Sequence, residues 1–228
     1  TLIEICPGLG ALTKPLLRHV TELQVVEIDR DIVSWMNVEY KMPSYEKNNL
    51  IIHNVDALKF DFSELGEQLR ITGNLPYNIS TPILFHLLKN LSSIQDMHFM
   101  LQKEVVDRMA AKPGSKIYGR LSVMLQAYCK VEQLFDISPG AFKPAPKVDS
   151  SIVRLTPMTD NSLSKAQEKA FAEMVRCSFS QRRKTLRNNL KGLLDESQIK
   201  EAGIDPGTRA ETLSVANFQR LAAVKAAS

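Results

Sequence analysis

Short β-rich runs alternate with longer helix-like segments over residues 1–156, and few folds accommodate that alternation. The β-rich runs are Leu2–Cys6, Leu23–Ile28, Leu50–His53, Leu69–Gly73 and Met97–Leu101. Helix-like segments lie between them at Ala11–His19, Asp31–Tyr40 and Pro82–Leu88, the last with Thr81 as its expected N-cap. Repeated strand, helix, strand units favour a parallel sheet with helices on both faces. The fold class predicted is therefore α/β.

The sequence pattern changes after residue 130, from alternating strands and helices to a hairpin and then to helices alone. Two further β-rich runs, Lys130–Ile137 and Ser150–Leu155, flank a Pro-rich turn and predict a hairpin at the sheet edge. A polar linker at Thr156–Ser162 follows, and Ser164 with Gln167 has the spacing of a capping box. Apolar residues then recur only at helical spacing. We expect an α/β domain over residues 1–156 and a small helical domain over residues 157–228.

The net charge of +4 is unevenly distributed. Residues 1–156 carry 17 Lys and Arg against 17 Asp and Glu, whereas residues 157–228 carry 12 against 8. The whole cationic excess therefore belongs to the helical part, which predicts a module that faces a polyanion.

Cysteine content and hydropathy exclude several other classes of protein. Three cysteines, Cys6, Cys129 and Cys177, lie far apart without a Cys-x-x-Cys pair, so neither a disulfide framework nor a zinc cluster is predicted. No apolar run approaches the roughly 18 residues of a membrane span. We expect a soluble protein of the cytoplasm, with no metal site and no membrane partner.

Glycines or acids follow the first three predicted strands. Residues 4–10 contain a Gly-x-Gly turn, where a ligand can approach the backbone closely. Glu27 ends the second strand, where an acid commonly binds both hydroxyls of a ribose, while Asp29 is better explained as a helix cap. Asp56 follows the third strand and can accept a hydrogen bond from an adenine amine. Together these positions predict a nucleoside-containing cofactor.

The segment after the fourth strand reads Asn74-Leu75-Pro76-Tyr77. The Asn74 side chain and the Leu75 carbonyl can accept hydrogen bonds from a base's amino group, and the Tyr77 ring can stack on its face. A simple turn with a packed tyrosine is the alternative interpretation of the same residues.

These motifs together resemble the small-subunit ribosomal RNA adenine dimethyltransferases, nearly end to end. The matching segments are residues 4–8, 26–29, 56–57, 74–80, 101–105, 142–150 and 179–187. The resemblance implies a Rossmann-like class I methyltransferase sheet followed by a small all-helical domain. It also implies an S-adenosylmethionine-dependent enzyme that dimethylates two adjacent adenosines in the 3′-terminal hairpin loop of 16S rRNA, and that acts as a monomer on the small ribosomal subunit.

The same resemblance assigns residues to roles. Cofactor-binding residues are Cys6, Gly8 and Gly10 at the amino-acid end, Glu27 and Ile28 at the ribose, Asp56 and Ala57 at the adenine, and Asn74 between cofactor and base. The catalytic set is Asn74, Leu75, Pro76, Tyr77 and Phe142, although Phe142 can equally be a core residue.

Two departures from the family pattern are visible. Cys6 replaces a usual glycine, which is harmless only if Cys6 keeps a negative φ and contributes backbone atoms alone. The family also has an N-terminal Gln-Asn-Phe-Leu segment that helps enclose the cofactor and is absent here, so we expect weaker cofactor binding.

A basic run without acids lies in the last third of the chain. Its cations are Arg182, Arg183, Lys184, Arg187 and Lys191. We predict that this run forms a helix that contacts RNA phosphates, the alternative being a solvated helix face.

Two other functions fit part of the sequence. A 23S rRNA adenine methyltransferase of the macrolide-resistance type shares the cofactor motifs, but the Gln-Arg-Arg-Lys-Thr-Leu-Arg segment at 181–187 argues against it. A ribosome assembly factor that binds RNA without catalysis is the second alternative, and the intact Asn-Leu-Pro-Tyr segment argues for catalysis instead.

Overall fold

The computed structural model describes residues 1–40, 49–143, 145–158 and 165–227. Its strands form one seven-stranded sheet in the order β3-β2-β1-β4-β5-β7-β6. The strands are β1 (Leu2–Ile5), β2 (Glu22–Glu27), β3 (Asn49–Asn54), β4 (Leu69–Asn74), β5 (Ile94–Gln102), β6 (Cys129–Ile137) and β7 (Ser150–Pro157). The predicted α/β sheet is confirmed.

Strand direction in the sheet follows from the connections. β1 to β5 pair in parallel, whereas β7 runs antiparallel to β5. The two later β-rich runs do lie side by side at the sheet edge, as predicted. Because β7 is antiparallel, its amino end lies at the same sheet edge as the carboxyl ends of β4 and β5, with Ser150 opposite Gln102.

Helices connect the parallel strands. They are α1 (Thr13–Leu17), α2 (Arg30–Glu39) and α3 (Ser80–Leu87), followed by α4 (Lys103–Met109) and α5 (Arg120–Tyr128). The side chains of Leu17 and Met36, from α1 and α2, are buried against Leu23 and Val25 of β2. This packing covers the sheet beside β2.

The two helix starts differ in how well the sequence predicted them. Asp29 caps α2 as expected, because its Oδ1 accepts the backbone N–H of Asp31 at 2.8 Å. The prediction that Thr81 caps α3 was wrong, since that helix already begins at Ser80 and has no side-chain cap. The chain turns there through backbone bonds from Ile79 and Ser80 to the Pro76 carbonyl, so no side-chain acceptor is needed.

The chain divides into two compact units, and this division differs from the predicted one. The first unit is residues 1–106 with 130–157, and the second is residues 107–129 with 158–228. The segment 107–129 was assigned to the α/β domain because it lies between two strands in sequence. It packs instead with the helical unit, where the Tyr128 ring contacts Phe171 with centroids 6.1 Å apart and the Tyr128 carbonyl accepts the Met158 N–H at 2.9 Å.

This reassignment sharpens the separation of charge between the units. The helical unit carries 16 Lys and Arg against 9 Asp and Glu, and the sheet unit carries 13 against 16. The segment 107–129 therefore adds cations to the unit that already held the excess.

The helical unit contains, besides α5, the helices α6 (Lys165–Ser178), α7 (Leu186–Asn189), α8 (Glu196–Glu201) and α9 (Val215–Ala227). Phe171, Met174 and Val175 of α6 are fully buried, as are Phe218 and Leu221 of α9, so the predicted helical spacing is confirmed there. The proposed cap Ser164 lies outside the described residues.

Two predictions about residues 182–194 were wrong. Leu186, Leu190, Leu193 and Leu194 recur at helical spacing, which predicts a helix, but α7 has only four residues and Gly192 adopts a left-handed φ of +89°. The basic residues 182–184 lie in a turn ahead of α7, closed by a bond from the Lys184 N–H to the Gln181 carbonyl at 3.0 Å. None of the described helices is long and apolar enough to cross a membrane.

Candidate active site

The strand register brings three of the predicted site residues to one edge of the sheet. Ile5 of β1 pairs with Val26 of β2 and with Gly73 of β4. The next residue of each chain segment is Cys6, Glu27 and Asn74, so these three lie level with one another. Parallel strands end in a crevice where α/β proteins bind their ligands.

The turn after β1 has an unusual backbone. Cys6, Gly8 and Gly10 have φ of +56°, +55° and +73°, all in the left-handed region. A Cβ on Gly8 would meet nothing within 4 Å, so the backbone there is open to a ligand. Gly10 is required for local packing as well, because a Cβ at that position would lie 2.0 Å from the Tyr40 hydroxyl oxygen.

The condition under which Cys6 is harmless is therefore not met, because its φ is positive. A non-glycine residue in the left-handed region costs roughly 1 kcal/mol or more. We predict that Cys6→Gly raises the free energy of unfolding by about 1 kcal/mol. Urea unfolding of the two proteins measures this difference. Cys129→Ala, at a buried cysteine of the helical unit, serves as a comparison that should lose stability through its cavity. Equal or lower stability of Cys6→Gly would contradict the predicted strain.

Glu27 and Asp56 present partly satisfied carboxylates at this edge. Glu27 is only 5% exposed, and its Oε1 accepts the Asp29 N–H at 2.9 Å. Asp56 is half-buried, and its Oδ1 accepts the Leu58 N–H at 3.0 Å. One oxygen of each carboxylate makes no hydrogen bond with the described residues. Each acid is thus held by the backbone through one oxygen, which leaves the other oxygen as a candidate acceptor for a ligand.

Asn54 is a positioning residue that the sequence interpretation missed. Its Nδ2 donates to the Glu27 carbonyl at 2.9 Å and to the Ile28 carbonyl at 3.2 Å. Asn54 thereby ties the end of β3 to the turn after β2. Ile28, which is 62% exposed, is held in this turn with its side chain uncovered. Ala57, in contrast, is buried.

The electrostatics of this edge favour a cation. Burial first, and then the negative charges of Glu27, Asp56 and Glu4, raise the pKa of the Cys6 thiol to about 12. The thiol is therefore protonated at neutral pH and is a poor nucleophile. Glu27 and Asp56, together with Glu4 when it is ionised, give this edge of the sheet a negative potential.

Glu4 was not predicted as part of the site, and it is the most unusual of these acids. It is 1% exposed, and its Oε2 accepts the Thr13 hydroxyl at 2.6 Å. Burial raises the Glu4 pKa to about 7, while the bond from Thr13 opposes the shift. The only sequence signal for a role of Glu4 at the site is its position in the strand just before a glycine-rich turn.

The turn after β4 leaves its acceptors unused. The Leu75 N–H donates to the Met100 carbonyl at 3.3 Å, which fixes the turn against β5. No described residue donates a hydrogen bond to the Leu75 carbonyl or bonds the Asn74 side chain. Pro76 follows without an N–H of its own, and its carbonyl accepts the N–H groups of Ile79 and Ser80. Two acceptors at this turn therefore lack a partner among the described residues: the side chain of the exposed Asn74, and the carbonyl of Leu75, a residue that is 1% exposed.

An aromatic pocket lies beside this turn. It has a volume of about 320 Å³ and is lined by Asn74, Leu75, Pro76, Tyr77, Met100, Phe142, Pro146 and Ser150. Tyr77 is 50% exposed, so it is not the packed tyrosine of the alternative interpretation. Phe142 is half-buried and lines the pocket, which favours its role at the base over that of a core residue. Met100 and Ser150 were not predicted from the sequence, because only the pairing of β4, β5 and β7 brings them here.

The basic residues of the helical unit divide into two groups. Arg182 forms an ion pair with Glu211, Nε to Oε2 at 3.0 Å, and Arg187 lies 3.6 Å from Glu196. The others, Arg183, Lys184 and Lys191, are exposed and have no side-chain partner among the described residues. No group of three or more possible metal ligands occurs in the described part of the chain.

The parallel sheet with its antiparallel edge, the acids after β2 and β3, and the Asn-Leu-Pro-Tyr turn after β4 define a Rossmann-like methyltransferase. A family model described as ribosomal RNA adenine dimethylase matches residues 1–227. The chain belongs to the ribosomal RNA adenine dimethylase family. It is an enzyme that uses S-adenosylmethionine to methylate adenine in ribosomal RNA.

Two similar proteins support the membership of this chain in the family. The protein named ribosomal RNA small subunit methyltransferase A of Methylobacillus flagellatus is 53% identical over 221 residues, which cover 97% of this chain and 85% of that one. Its namesake from Nitrosomonas europaea is 54% identical over 217 residues, 95% of this chain and 82% of that one.

Solved structures show the same fold. A dimethyladenosine transferase from Plasmodium falciparum superposes with a TM-score of 0.78 at 28% identity, over 96% of this chain and 87% of that one. The 23S rRNA methyltransferase ErmE superposes with a TM-score of 0.73 over 98% of this chain and 89% of that one. At 23% identity, this second likeness concerns the fold alone.

The described residues fit S-adenosylmethionine. The cofactor carries a sulfonium and an ammonium, and the edge around Cys6 is lined by carboxylates. Its ribose and adenine offer hydroxyl and amino donors, and Glu27 and Asp56 each retain a free acceptor oxygen. The open backbone at Gly8 leaves room for a ligand.

Proposed function

We propose that this enzyme dimethylates the exocyclic amines of two adjacent adenosines in the 3′-terminal hairpin loop of 16S rRNA. It acts as a cytoplasmic monomer on the small ribosomal subunit during ribosome assembly. The observation that carries the proposal is the pocket beside Asn74, which combines two unused hydrogen-bond acceptors with the aromatic side chains of Tyr77 and Phe142. The specific substrate is supported by relatives above 50% identity whose names specify the small subunit.

The pocket residues select and orient a flipped adenine. Tyr77 and Phe142 provide faces on which a base taken out of the helical stack can lie. The Asn74 Oδ1 and the Leu75 carbonyl accept the two N–H groups of the adenine amine. Pro76 has no N–H that would compete for the base, and its backbone bonds to Ile79 and Ser80 hold the turn in shape.

The same two acceptors activate the amine. The lone pair of an adenine amine is delocalised into the ring, so the nitrogen is a weak nucleophile. Hydrogen bonds to Asn74 and Leu75 pull the N–H groups out of the ring plane and localise the lone pair. S-adenosylmethionine, when bound, supplies a methyl group activated by the positive sulfur. Positioning and electrostatics carry this catalysis, and no nucleophilic side chain takes part.

We assign cofactor binding to the same edge of the sheet, at the carboxyl ends of β1, β2 and β3. Glu27, with Ile28 beside it, would hold the ribose, and Asp56 with Ala57 the adenine. Cys6 and Gly8 would border the amino-acid end, while Gly10 acts mainly through its packing against Tyr40. The protonated Cys6 thiol does not compete with the substrate amine for the methyl group.

Methylation of purified subunits tests the proposed substrate. Small ribosomal subunits with unmethylated RNA and large subunits are each incubated with the enzyme and the cofactor. Mass spectrometry of the digested RNA should then find two adjacent dimethyladenosines in the small-subunit RNA alone. Methylation of the large-subunit RNA would favour the macrolide-resistance type of activity. Tight binding to small subunits without any methylation would favour the non-catalytic assembly factor.

The assigned acids give a second prediction. Glu27→Ala and Asp56→Ala should each weaken S-adenosylmethionine binding by roughly 1 to 3 kcal/mol, because each removes a charge-assisted hydrogen bond. Isothermal calorimetry measures the affinity. Glu67→Ala, at an exposed acid of the same unit, is the matched control and should bind as the parent does. Parental affinity in both variants would remove these roles.

A further inference from the structure

Arg182 belongs to the basic run and is exposed like its neighbours, but it differs from them in bonding to two other segments of the chain. Its Nε contacts the Glu211 Oε2 at 3.0 Å, and its Nη2 donates to the Lys116 carbonyl. A guanidinium offers a planar fork of donors, so one side chain can join two chain segments in this way. Arg182 is therefore bonded to residues 66 and 29 positions away in the sequence.

The segment that Arg182 contacts is the connection between α4 and α5, residues 110–119. Its Gly114 N–H donates to the Glu211 carbonyl at 2.7 Å. Further along, the buried Tyr118 ring lies with its centroid 6.2 Å from that of Phe179. Three contacts thus fix this connection against residues 179–182 and Glu211, all within the helical unit.

The contacts bring exposed cations from two distant segments together. Lys112 and Lys116 lie on the connection, and Arg183 and Lys184 follow Arg182 directly. All four side chains are exposed, and none has a hydrogen-bonding or charged partner among the described residues. An open recess of about 540 Å³ is lined by residues 181–184. Free, clustered cations of this kind attract a polyanion rather than stabilise the fold.

We propose that the 112–116 connection and the 181–184 turn form one composite surface for the RNA backbone, with Arg182 as the residue that holds the two parts together. This surface rests on the proposed function, since rRNA is the polyanion. Lys112, Lys116, Arg183 and Lys184 contact phosphates, and Arg182 acts through its bonds to Lys116 and Glu211. The basic run in the sequence is therefore only half of the RNA-binding surface.

A salt titration tests the lysines of the connection. The double variant Lys112→Ala/Lys116→Ala should reduce the slope of log affinity against log salt by about one to two units, since each lost phosphate contact removes up to about 0.9. Arg183→Ala/Lys184→Ala should reduce it by a similar amount. Lys169→Ala is the matched control, because this exposed lysine lies on α6 about 13 Å from the end of that helix at Ser178. Filter binding to small subunits with unmethylated RNA measures all four slopes.

A second variant tests the positioning role of Arg182 by the sign of its effect. Glu211→Gln removes a negative charge, so electrostatics alone predicts tighter RNA binding. If Glu211 and Arg182 hold the connection, the variant should instead bind RNA several-fold more weakly. The KM for subunits should rise by the same factor, while kcat at saturating subunits stays unchanged. The Gly114–Glu211 backbone bond is retained in this variant, and a thermal melt checks that the unit remains folded.

The outcomes separate this proposal from the proposed function. A parental salt slope in the Lys112→Ala/Lys116→Ala protein, with a reduced slope in the Arg183→Ala/Lys184→Ala protein, overturns the composite surface and leaves the function standing. Tighter binding by Glu211→Gln overturns the role of Arg182. Absence of methylation of small-subunit RNA by the parent enzyme would instead overturn the proposed function.

Discussion

Asn74→Ala should lower the rate of methyl transfer about 100- to 1,000-fold, the usual effect of removing one positioned polar group from a reaction centre. The Asn74 side chain makes no hydrogen bond with the described residues, so its loss should not destabilise the turn. It lines the pocket beside Tyr77 and Phe142, where the target amine is proposed to lie. Because the variant removes no charge, affinity for the cofactor and for RNA should remain largely intact.

Single-turnover methylation of small subunits with unmethylated RNA measures this rate, and calorimetry measures cofactor affinity. Asn78→Ala is the matched control, because Asn78 is an exposed asparagine of the same turn that does not line the pocket. Its rate should equal that of the parent. Parental turnover by Asn74→Ala would show that the amine is not aligned by this side chain.

Glu4 should make the protein less stable as the pH rises. Its pKa is about 7 in the folded protein because the carboxyl is buried, and it returns to its ordinary value near 4.5 on unfolding. Below pH 4.5 the group is protonated in both states and carries no penalty. As the pH rises from about 4.5 to 7, the unfolded chain loses the Glu4 proton while the folded protein keeps it, so folding loses stability until Glu4 ionises in both states above pH 7. At about 1.36 kcal/mol per pKa unit, the loss between pH 4 and 8 is roughly 3 kcal/mol.

Glu4→Gln removes this titration while keeping an oxygen that can accept the Thr13 hydroxyl. The free energy of unfolding of Glu4→Gln, minus that of the parent, should therefore grow with pH by roughly 3 kcal/mol over this range. Urea unfolding at several pH values measures the difference. Glu67→Gln, at an exposed glutamate, should run parallel to the parent at every pH. A parallel curve for Glu4→Gln as well would mean that Glu4 is not held in a neutral form.

The sheet unit was predictable because its signals are local. Each β-rich run from Leu2 to Leu101 became a parallel strand, and Glu27 and Asn74 at the ends of β2 and β4, with Asp56 just after β3, lie at one edge. The assignment of Asp29 as a helix cap could also be made, because a cap interacts only with the next few residues. The assignment of Thr81 as a cap was wrong because the turn from Pro76 to Ser80 starts the helix with backbone hydrogen bonds. The identity of the side chains does not reveal such bonds.

Contacts between segments that are far apart in the sequence determined features that local sequence signals could not predict. The segment 107–129 joins the helical unit through Tyr128 and Phe171, although it stands between two strands in the chain. Arg182 reads as one cation of a basic run, and only its bonds to Glu211 and Lys116 distinguish it from Arg183. The conformation of Cys6 also depends on a distant segment, because its N–H donates to the Val26 carbonyl of the neighbouring strand β2.

The sequence by itself therefore determined the α/β sheet, the edge at which the candidate site residues meet, and the family, because strand periodicity and turn motifs depend on residues near one another in the chain. The tertiary structure alone decided that Met100 and Ser150 line the pocket beside Asn74, that Glu4 is buried beside the glycine-rich turn, and that Lys116 lies beside Arg182. Each of these depends on strand register or on contacts between distant segments. Such contacts form only when the chain buries its apolar surface, and the residues that they bring together carry no shared pattern in the sequence.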